Sequence, residues 1–233
     1  MARKVKTTKL DIIRCASKLF FEQGYSATAP KHICQELDLS TGNLTYYFPT
    51  KEHLLAQFAE MLCEFQWKMM EQEAEEGISS VMAICLEVMA MAAMCEESQI
   101  ARDFYLAIYT SPMCLAIIRK NDAERSRQVY KEFCPNWSDL QFREAETIVS
   151  GIEYATLMTT PDSAPLEIRM AGALYCILGV YNIPEEDRKK KIEKVLKMDY
   201  RRIGRRVLTE FKNFLDETNE AALEELIRVR QKG

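Results

Sequence analysis

The sequence predicts an all-α protein in which a small N-terminal module of short helices precedes a larger helical body. Three observations support this prediction. Apolar residues recur at helical spacing along the 233-residue chain, glycine occurs only eight times, and the hairpin turns Asn-Gly, Asp-Gly and Gly-Gly are absent. Helix length changes near residue 50, so we expect residues 1–50 to form one domain and residues 51–233 another.

Glycine and proline divide the chain into segments of helical length. We expect helices over 7–24, 29–36, 40–47, 51–76, 78–95, 98–110, 112–133, 138–159, 165–182, 185–198 and 200–216, with 217–231 left open.

Capping residues separate the first three helices. Gly24 is placed to end the first helix, and Thr28 to cap the second, with Pro30 in its first turn. Ser40 can cap the third helix, over 41–47. Two short helices joined by such a tight turn are typical of a helix-turn-helix.

The outer face of the third helix is polar and uncharged. It consists of Thr41, Gly42, Asn43, Thr45 and Tyr46. In a helix-turn-helix this face can enter the major groove, where asparagine reads adenine and threonine methyl groups touch thymine. The alternative is a small three-helix cap with an ordinary polar surface.

Side chains beside this face suit contacts with phosphates. Tyr46, Tyr47 and Lys51 could reach the backbone of DNA, which would position the module without reading sequence. Charge fits such a role, because residues 1–55 carry a net charge of +3 and the remainder −7.

The module contains a series of closely spaced motifs: Gly24-Tyr25-x-x-Thr28, Ile33, Leu39-Ser40-Thr41-Gly42-x-Leu44 and Tyr46-Tyr47-Phe48-Pro49-Thr50-Lys51-Glu52-x-Leu54-Leu55. These motifs resemble those of the TetR (tetracycline-repressor-like) family of transcriptional regulators. The resemblance covers about residues 7–58, a quarter of the chain. It implies a homodimer that binds a near-palindromic operator in double-stranded DNA and is released by a small-molecule effector, with repression favoured.

Three positions depart from the family pattern. Asp38 stands in the turn where glycine is usual, Thr45 where tyrosine is common, and Asn43 where threonine or serine is usual. Aspartate tolerates the left-handed conformation moderately well, so we expect the turn to survive. Taken together, the predicted DNA contacts are Thr28, Lys31, Ser40, Thr41, Gly42, Asn43, Thr45, Tyr46, Tyr47 and Lys51.

The helical body contains a segment, 78–95, that is apolar on nearly all sides, with Glu87 as its lone charge before Glu96. Such a helix is buried or lines a cavity. Its methionines could form an adaptable pocket wall, although plain core packing is the alternative for each of them. The candidate effector-binding residues are Met82, Met89, Arg102, Tyr105, Tyr109 and Tyr154.

Two later helices, over 145–158 and 166–183, carry wide apolar faces. We expect them to form a four-helix dimer interface, the alternative being central helices of the monomer. The candidate interface residues are Ile148, Ile152, Met170, Leu174, Ile177 and Tyr181. We expect the basic stretch 188–206 to be a solvated face, with a second polyanion site or contact with an acidic partner as the alternative.

Other function classes find little support. The chain has no P-loop, no dinucleotide or hydrolase motif, and only two histidines, so we expect no enzyme and no cofactor. Eight cysteines without a C-x-x-C pair argue against a metal site. Seven charges in the first twenty residues argue against export, so a cytoplasmic location without membrane contact is expected. Control by a protein partner and a thiol redox sensor remain alternatives.

Overall fold

A computed structural model describes residues 8–75, 78–219 and 221–223. These residues form eleven α-helices and no strand, which confirms the all-α prediction. The helices are α1 Lys9–Gln23, α2 Pro30–Glu36, α3 Thr41–Tyr47, α4 Lys51–Glu75, α5 Ser80–Glu97, α6 Gln99–Thr110, α7 Pro112–Val129, α8 Asp139–Leu157, α9 Leu166–Val180, α10 Glu185–Leu196 and α11 Tyr200–Glu217.

The predicted helices occur in the predicted order, and the largest error is at the end of α7. This helix ends at Val129 rather than at residue 133. The carbonyl of Tyr130 accepts hydrogen bonds from the backbone N–H groups of Phe133 and Cys134, so the chain turns there. The open segment 217–231 lies largely outside the described residues.

The helices α1 to α3 enclose a small core that continues into α4. Ile13 and Phe20 of α1, Ile33 of α2 and Leu44 of α3 are buried together with Phe58 of α4. The same apolar cluster includes residues of α6, α7 and α11. The N-terminal helices therefore rest on the body through continuous packing.

Helix α5 is the central element of the body. Thirteen of its residues are buried, and α4, α6, α8, α9, α10 and α11 pack around it. The strongly amphipathic α11 covers one side of it. Gly204 of α11 lies close to the carbonyl group of Ala90, where a Cβ atom would come within 2.9 Å of the carbonyl oxygen.

The structure corrects four of the candidate dimer residues. Met170, Leu174, Ile177 and Tyr181 are buried within their own chain. They belong to the second apolar cluster, which α9 shares with α5 and α8. Helix α9 is apolar on nearly all sides, so its sequence did not show which side faces inward.

The outer side of α8 and α9 carries exposed apolar residues among polar ones. Ile148 is 55% exposed and Ile168 is 64% exposed, while Ile152 is half-buried. Gly151 and Gly172 are exposed, and a Cβ atom on either would meet nothing within 4 Å. We refer to this outer side of the two helices as the α8–α9 face.

The basic stretch 188–206 forms ion pairs within the chain. Lys189 binds Glu185 at 2.7 Å and Lys197 binds Glu193 at 2.6 Å. Further along, Arg201 contacts Glu97 at 3.1 Å. These pairs agree with a solvated face that is partly neutralised by its own acidic neighbours.

Candidate functional site

The turn between α2 and α3 is a Schellman motif. The backbone N–H of Leu39 donates to the carbonyl of Cys34 at 2.8 Å, and that of Asp38 donates to the carbonyl of Gln35 at 3.4 Å. Asp38 has φ +49°, the left-handed conformation expected at this position. Ser40 then caps α3, because its hydroxyl accepts a hydrogen bond from the N–H of Asn43 at 3.2 Å.

This turn leaves one side of α3 open to solvent. Tyr46 is 82% exposed, and its ring packs edge-on against that of the half-buried Tyr47, with the ring centroids 5.1 Å apart. Leu44 faces the core. The remaining predicted contacts of this helix are also exposed: Ser40, Thr41, Gly42, Asn43 and Thr45.

Thr28 is placed differently from the prediction. Ala29, not Thr28, is the N-cap residue of α2, and its N–H donates to Nδ1 of His32 at 3.2 Å. The Thr28 side chain is fully buried and donates to the carbonyl of Gly24 at 2.8 Å. It therefore shapes the α1–α2 turn from within and presents nothing to DNA. Lys31, in the first turn of α2, is exposed.

Lys51 is held by the turn that follows α1. Its ammonium group donates to the carbonyl of Tyr25 and lies 3.9 Å from the centroid of the Tyr25 ring. Burial lowers the pKa of Lys51, and Asp103 opposes that shift. In this position Lys51 ties the start of α4 to the α1–α2 turn.

The α1–α2 turn is also attached to α6. The backbone N–H of Ser26 donates to Asp103 Oδ2 at 2.7 Å, and the Ser26 hydroxyl donates to the other carboxylate oxygen. Phe21 packs against Phe104, with ring centroids 5.7 Å apart. A displacement of α6 would therefore reach the helix-turn-helix directly.

The body contains a cavity of about 70 Å³ between α4, α5, α6, α7, α8 and α11. We call it the effector cavity. Its walls are largely apolar, with Met69, Met91 and Met94 among them. The polar groups that line it are Gln66, Glu87, Tyr105, Tyr109, Asp122 and Glu153.

A smaller cavity of about 30 Å³ lies beside the effector cavity. We call it the inner cavity. The two share Glu87, Val88, Asp122 and Glu153 as lining residues, and Tyr130 and Glu146 also line the inner one.

The carboxyl groups around these cavities have shifted pKa values. Burial raises the pKa of Glu153 well above its ordinary value, and Asp122 and Glu146 raise it further. Burial likewise raises the pKa of Asp122 and of Glu146. At neutral pH this group of carboxyls therefore carries less negative charge than its composition indicates.

Two of the predicted effector residues line the effector cavity, namely Tyr105 and Tyr109. Met82 and Met89 are packed in the second apolar cluster. Arg102 lines a separate polar groove that also contains Glu96 and Arg169. Tyr154 is half-buried against the first apolar cluster.

Sequence reasoning missed the acidic groups of the effector cavity. Asp122 and Glu153 lie on helices with many exposed charges, so their residue types did not distinguish them from surface residues. Glu87 did carry a signal, because it is the lone charge within an apolar segment. Its carboxylate binds Arg125 at 2.5 Å.

The cysteines are mostly inaccessible. Six of the eight are buried, whereas Cys176 of α9 is exposed. Burial raises the pKa of Cys85 and of Cys95 to about 12. Such thiols react slowly, because the thiolate is the reactive form.

The part of the chain that the structure describes contains neither a candidate metal site nor a candidate membrane span. Its histidine, cysteine and carboxylate side chains form no group suited to a metal ion. None of its helices combines the length and apolarity needed to cross a bilayer.

Comparison with known proteins identifies the N-terminal module. Residues 12–58 match the family described as bacterial regulatory proteins, tetR family. No curated protein matches the chain.

Solved structures resemble most of the chain. RolR without ligand has 16% identity and a TM-score of 0.60, over 78% of this chain and 95% of RolR. GusR from Salmonella enterica has 20% identity and a TM-score of 0.47, over 78% of this chain and 100% of GusR. TylP, a tetR regulator from Streptomyces fradiae, has 16% identity and a TM-score of 0.46, over 86% of this chain and 95% of TylP.

The match to RolR shows a shared fold, and the family match falls on the helices that build the exposed face of α3. Residues 12–58 therefore resemble the tetR family of bacterial regulatory proteins, and the chain shares the fold of RolR over 78% of its length.

Proposed function

We propose that the chain is a homodimeric repressor that binds a near-palindromic operator and releases it when a small molecule occupies the effector cavity. Residues 1–50 would form the DNA-binding domain, and residues 51–233 the domain for effector binding and dimerisation. The proposed base-reading residues are Thr41, Asn43 and Thr45, with Gly42 allowing close approach. Lys31, Ser40, Tyr46 and Tyr47 are the proposed contacts to phosphates. Lys51, whose ammonium group already donates to the Tyr25 carbonyl, is proposed to contact a phosphate with its remaining N–H groups.

The exposed face of α3 is the observation that carries this proposal. Tyr46 of the uncharged helix α3 is 82% exposed, and contact of its ring with water does not stabilise the folded chain. In a major groove the same face offers hydrogen-bonding groups and methyl groups to base edges. The capped turn before it holds α3 in a fixed orientation.

Helix α6 supplies a route for the effector's action. Tyr105, Ile108 and Tyr109 of this helix line the effector cavity, while Asp103 near its start binds Ser26 in the α1–α2 turn. A ligand that favours a shifted α6 would favour a different spacing of the two recognition helices. DNA affinity would fall by the differential affinity of the ligand for the two states.

Control by a protein partner is the alternative for the same fold. A filled interior would favour it, because such a body would have no place for a small molecule. The effector cavity, with its apolar walls and a few convergent polar groups, instead favours a small molecule.

The test is selection of bound fragments from genomic DNA as salt is raised. Recovery of fragments that share a near-palindrome would support the proposal. Binding that is diffuse and disappears with salt would contradict it, since phosphate contacts alone behave this way.

Two variants then examine the interface on the selected operator. Tyr46→Ala and Lys51→Ala are each expected to weaken binding, with Lys190→Ala on the distant α10 as the matched control. Loss of a lysine–phosphate contact lowers the dependence of log affinity on log salt by about one unit. Unchanged affinity in both variants would contradict the assignment of α3 and Lys51 to DNA.

A further inference from the structure

The acidic groups that line the two cavities outnumber the cationic groups that line them. Glu87, Asp122 and Glu153 line the effector cavity, and no lysine, arginine or histidine is among the described residues that line it. Glu146 lies behind them in the inner cavity. In the described part of the chain, Arg125 is the cation that lines the inner cavity.

Arg125 already forms ion pairs with two of these carboxylates. Its Nη2 lies 2.5 Å from Glu87 Oε2, and its Nη1 lies 3.4 Å from Asp122 Oδ1. Only 5% of the residue is exposed, so water contributes little to its solvation. Its ion pairs are with these two groups and not with Glu146 or Glu153 of α8.

The carboxyl groups of Glu146 and Glu153, both in α8, receive hydrogen bonds from neutral hydroxyl groups. Glu146 accepts from Ser126 at 2.6 Å and from Tyr181. Glu153 accepts from the hydroxyl of Tyr109 at 2.8 Å. Neither Glu146 nor Glu153 has an ion-pair partner among the described residues. Hydroxyl groups stabilise a buried carboxylate less than a cation does.

A second, independent observation indicates that a ligand belongs in this region. Tyr130 is fully buried and lines the inner cavity, yet its hydroxyl has no hydrogen-bond partner among the described residues. Its ring stacks on that of Tyr181 with centroids 3.9 Å apart, which fixes its orientation. A buried hydroxyl without a partner is costly, and a bound polar group would remove that cost.

We infer that the effector cavity binds an organic cation, an ammonium or amidinium group on a compact apolar body, with Glu153 as its charge partner. This inference rests on the proposed function, because it names the chemical class of the effector. The positive group would lie near Glu153 and towards the inner cavity, and the apolar part among the methionines.

The walls suit such a molecule. Phe65, Tyr105 and Tyr109 place aromatic rings around the cavity, and aromatic faces attract organic cations. The cavity of about 70 Å³ is smaller than the roughly 150 Å³ that accommodates benzene in a buried site. Entry therefore requires side-chain movement, which the flexible Met91 and Met94 can provide.

Proton release gives this inference a distinctive signature. Burial raises the pKa of Glu153, and a bound cation would lower it again by favouring the carboxylate. The groups that face Glu153 are Glu87 from α5, Tyr109 from α6, Asp122 and Arg125 from α7, Tyr130 directly after α7, and Glu146 from its own helix. A ligand with a fixed positive charge should thus bind more tightly as pH rises.

The experiment measures calorimetric binding of two matched pairs of probes to the full chain. Benzyltrimethylammonium is compared with neopentylbenzene, and choline with 3,3-dimethylbutan-1-ol. Within each pair a quaternary nitrogen is replaced by carbon, so shape is kept and charge is removed. We expect at least one cation to bind about tenfold or more tightly than its neutral partner, with tighter binding at pH 8 than at pH 6.

Two variants locate the charge partner. Glu153→Gln should abolish the preference for the cation and weaken the pH dependence, to which Asp122 and Glu146 still contribute, while thermal unfolding confirms that the variant is folded. Glu144→Gln changes an exposed carboxylate of the same helix and should leave both unchanged. Equal binding of cation and neutral partner in both pairs, or no binding of either cation at millimolar concentration, would overturn the inference.

The ligand class and the proposed function are tested separately, although both tests use the same full chain. Operator binding is measured on the ligand-free chain, independently of either probe. Sequence-specific DNA binding without cation preference would refute the ligand class alone. Cation preference without DNA binding would refute the proposed regulator and leave the cavity assignment standing.

Discussion

Asp38 shows how one residue can hold a functional turn at some cost. Its φ of +49° places a side chain in a region that glycine occupies readily. Aspartate tolerates this conformation better than most residues, and alanine tolerates it less well. The hydrogen bonds of the Schellman motif depend on this angle, so the orientation of α3 depends on it as well.

We therefore predict that Asp38→Ala lowers the free energy of unfolding relative to Asp38→Gly by about 1 kcal/mol. Both variants lose the carboxylate, so their difference isolates the backbone conformation. Urea denaturation monitored by circular dichroism provides the measurement. Equal midpoints for the two variants would mean that the angle is not a source of strain.

Glu146 makes stability depend on pH. Burial is the main cause that raises its pKa to about 7, and the charge of Asp122 contributes. A carboxyl with a raised folded-state pKa contributes its full stability below the unfolded pKa, roughly 4.3, and that contribution is lost as pH rises through the folded value. The affected range thus runs from mildly acidic to slightly alkaline pH.

We predict that the wild-type chain loses stability between pH 5 and pH 8, with a Glu146 contribution on the order of 2 kcal/mol. Glu146→Gln removes the titration of this group and should make the profile less steep, while Asp122 and Glu153 still contribute to it. The amide oxygen of the variant can still accept from Ser126 and Tyr181. Urea unfolding at several pH values measures this, with Glu144→Gln as the control. An unchanged profile in Glu146→Gln would show that the group titrates normally.

At the scale of elements, α6 connects the effector cavity to the DNA-binding helices. Asp103 binds Ser26 through two hydrogen bonds, and Tyr105 and Tyr109 lie two and six residues further along the same helix. A rigid helix transmits a shift from its cavity side to its start. In the proposed mechanism, the attachment through Asp103 is one contact through which such a shift would reach the N-terminal helices, together with the packing of Phe21 against Phe104.

We predict that Asp103→Ala speeds hydrogen exchange of the Ser26 amide about tenfold, because that N–H loses a charged acceptor. Exchange monitored by NMR or mass spectrometry measures it. Asp139→Ala removes another exposed carboxylate, one paired with Arg127, and should leave Ser26 unchanged. Unaltered exchange in Asp103→Ala would mean that α6 does not hold the turn.

Helix positions followed from the sequence, whereas helix faces often did not. Ser40 at the start of α3 and the left-handed Asp38 were predicted because capping and turn chemistry are local. Thr28 was assigned wrongly, since its hydroxyl binds a carbonyl of the preceding turn rather than capping α2. Met82 and Met89 were also assigned to the effector site, because α5 is apolar all round and periodicity could not tell its cavity side from its core side.

At the scale of the whole molecule, the α8–α9 face remains uncovered. Exposed Ile148 and Ile168 and the two open glycines lie on helices whose opposite sides are already buried. Large exposed apolar areas of this kind are typical of interfaces. An isologous dimer formed through α8 and α9 would cover them and place two helix-turn-helix modules on one operator.

We predict that Ile148→Glu and Ile168→Glu each convert the dimer to monomers, because each buries a carboxylate against its symmetry mate. Sedimentation velocity measures the mass, and operator affinity should fall together with dimerisation. Lys190→Glu, at an exposed position of α10, is the control. Ile192→Glu would not be suitable, because Ile192 is buried. A mass that is the same for all variants would rule out this face as the interface.

Gly172 allows this dimer to be distinguished from a merely apolar surface. Within one chain a Cβ atom there meets nothing within 4 Å, and alanine is favoured over glycine inside a helix by about 1 kcal/mol. If the face were open to water, Gly172→Ala would simply stabilise the protein. If a partner helix approaches closely, the added methyl group would separate the two chains. We therefore expect Gly172→Ala to weaken dimerisation in the wild-type background, yet to raise the free energy of unfolding in the monomeric Ile168→Glu background. Stabilisation in both backgrounds, with unchanged dimer affinity, would mean that no helix packs against Gly172.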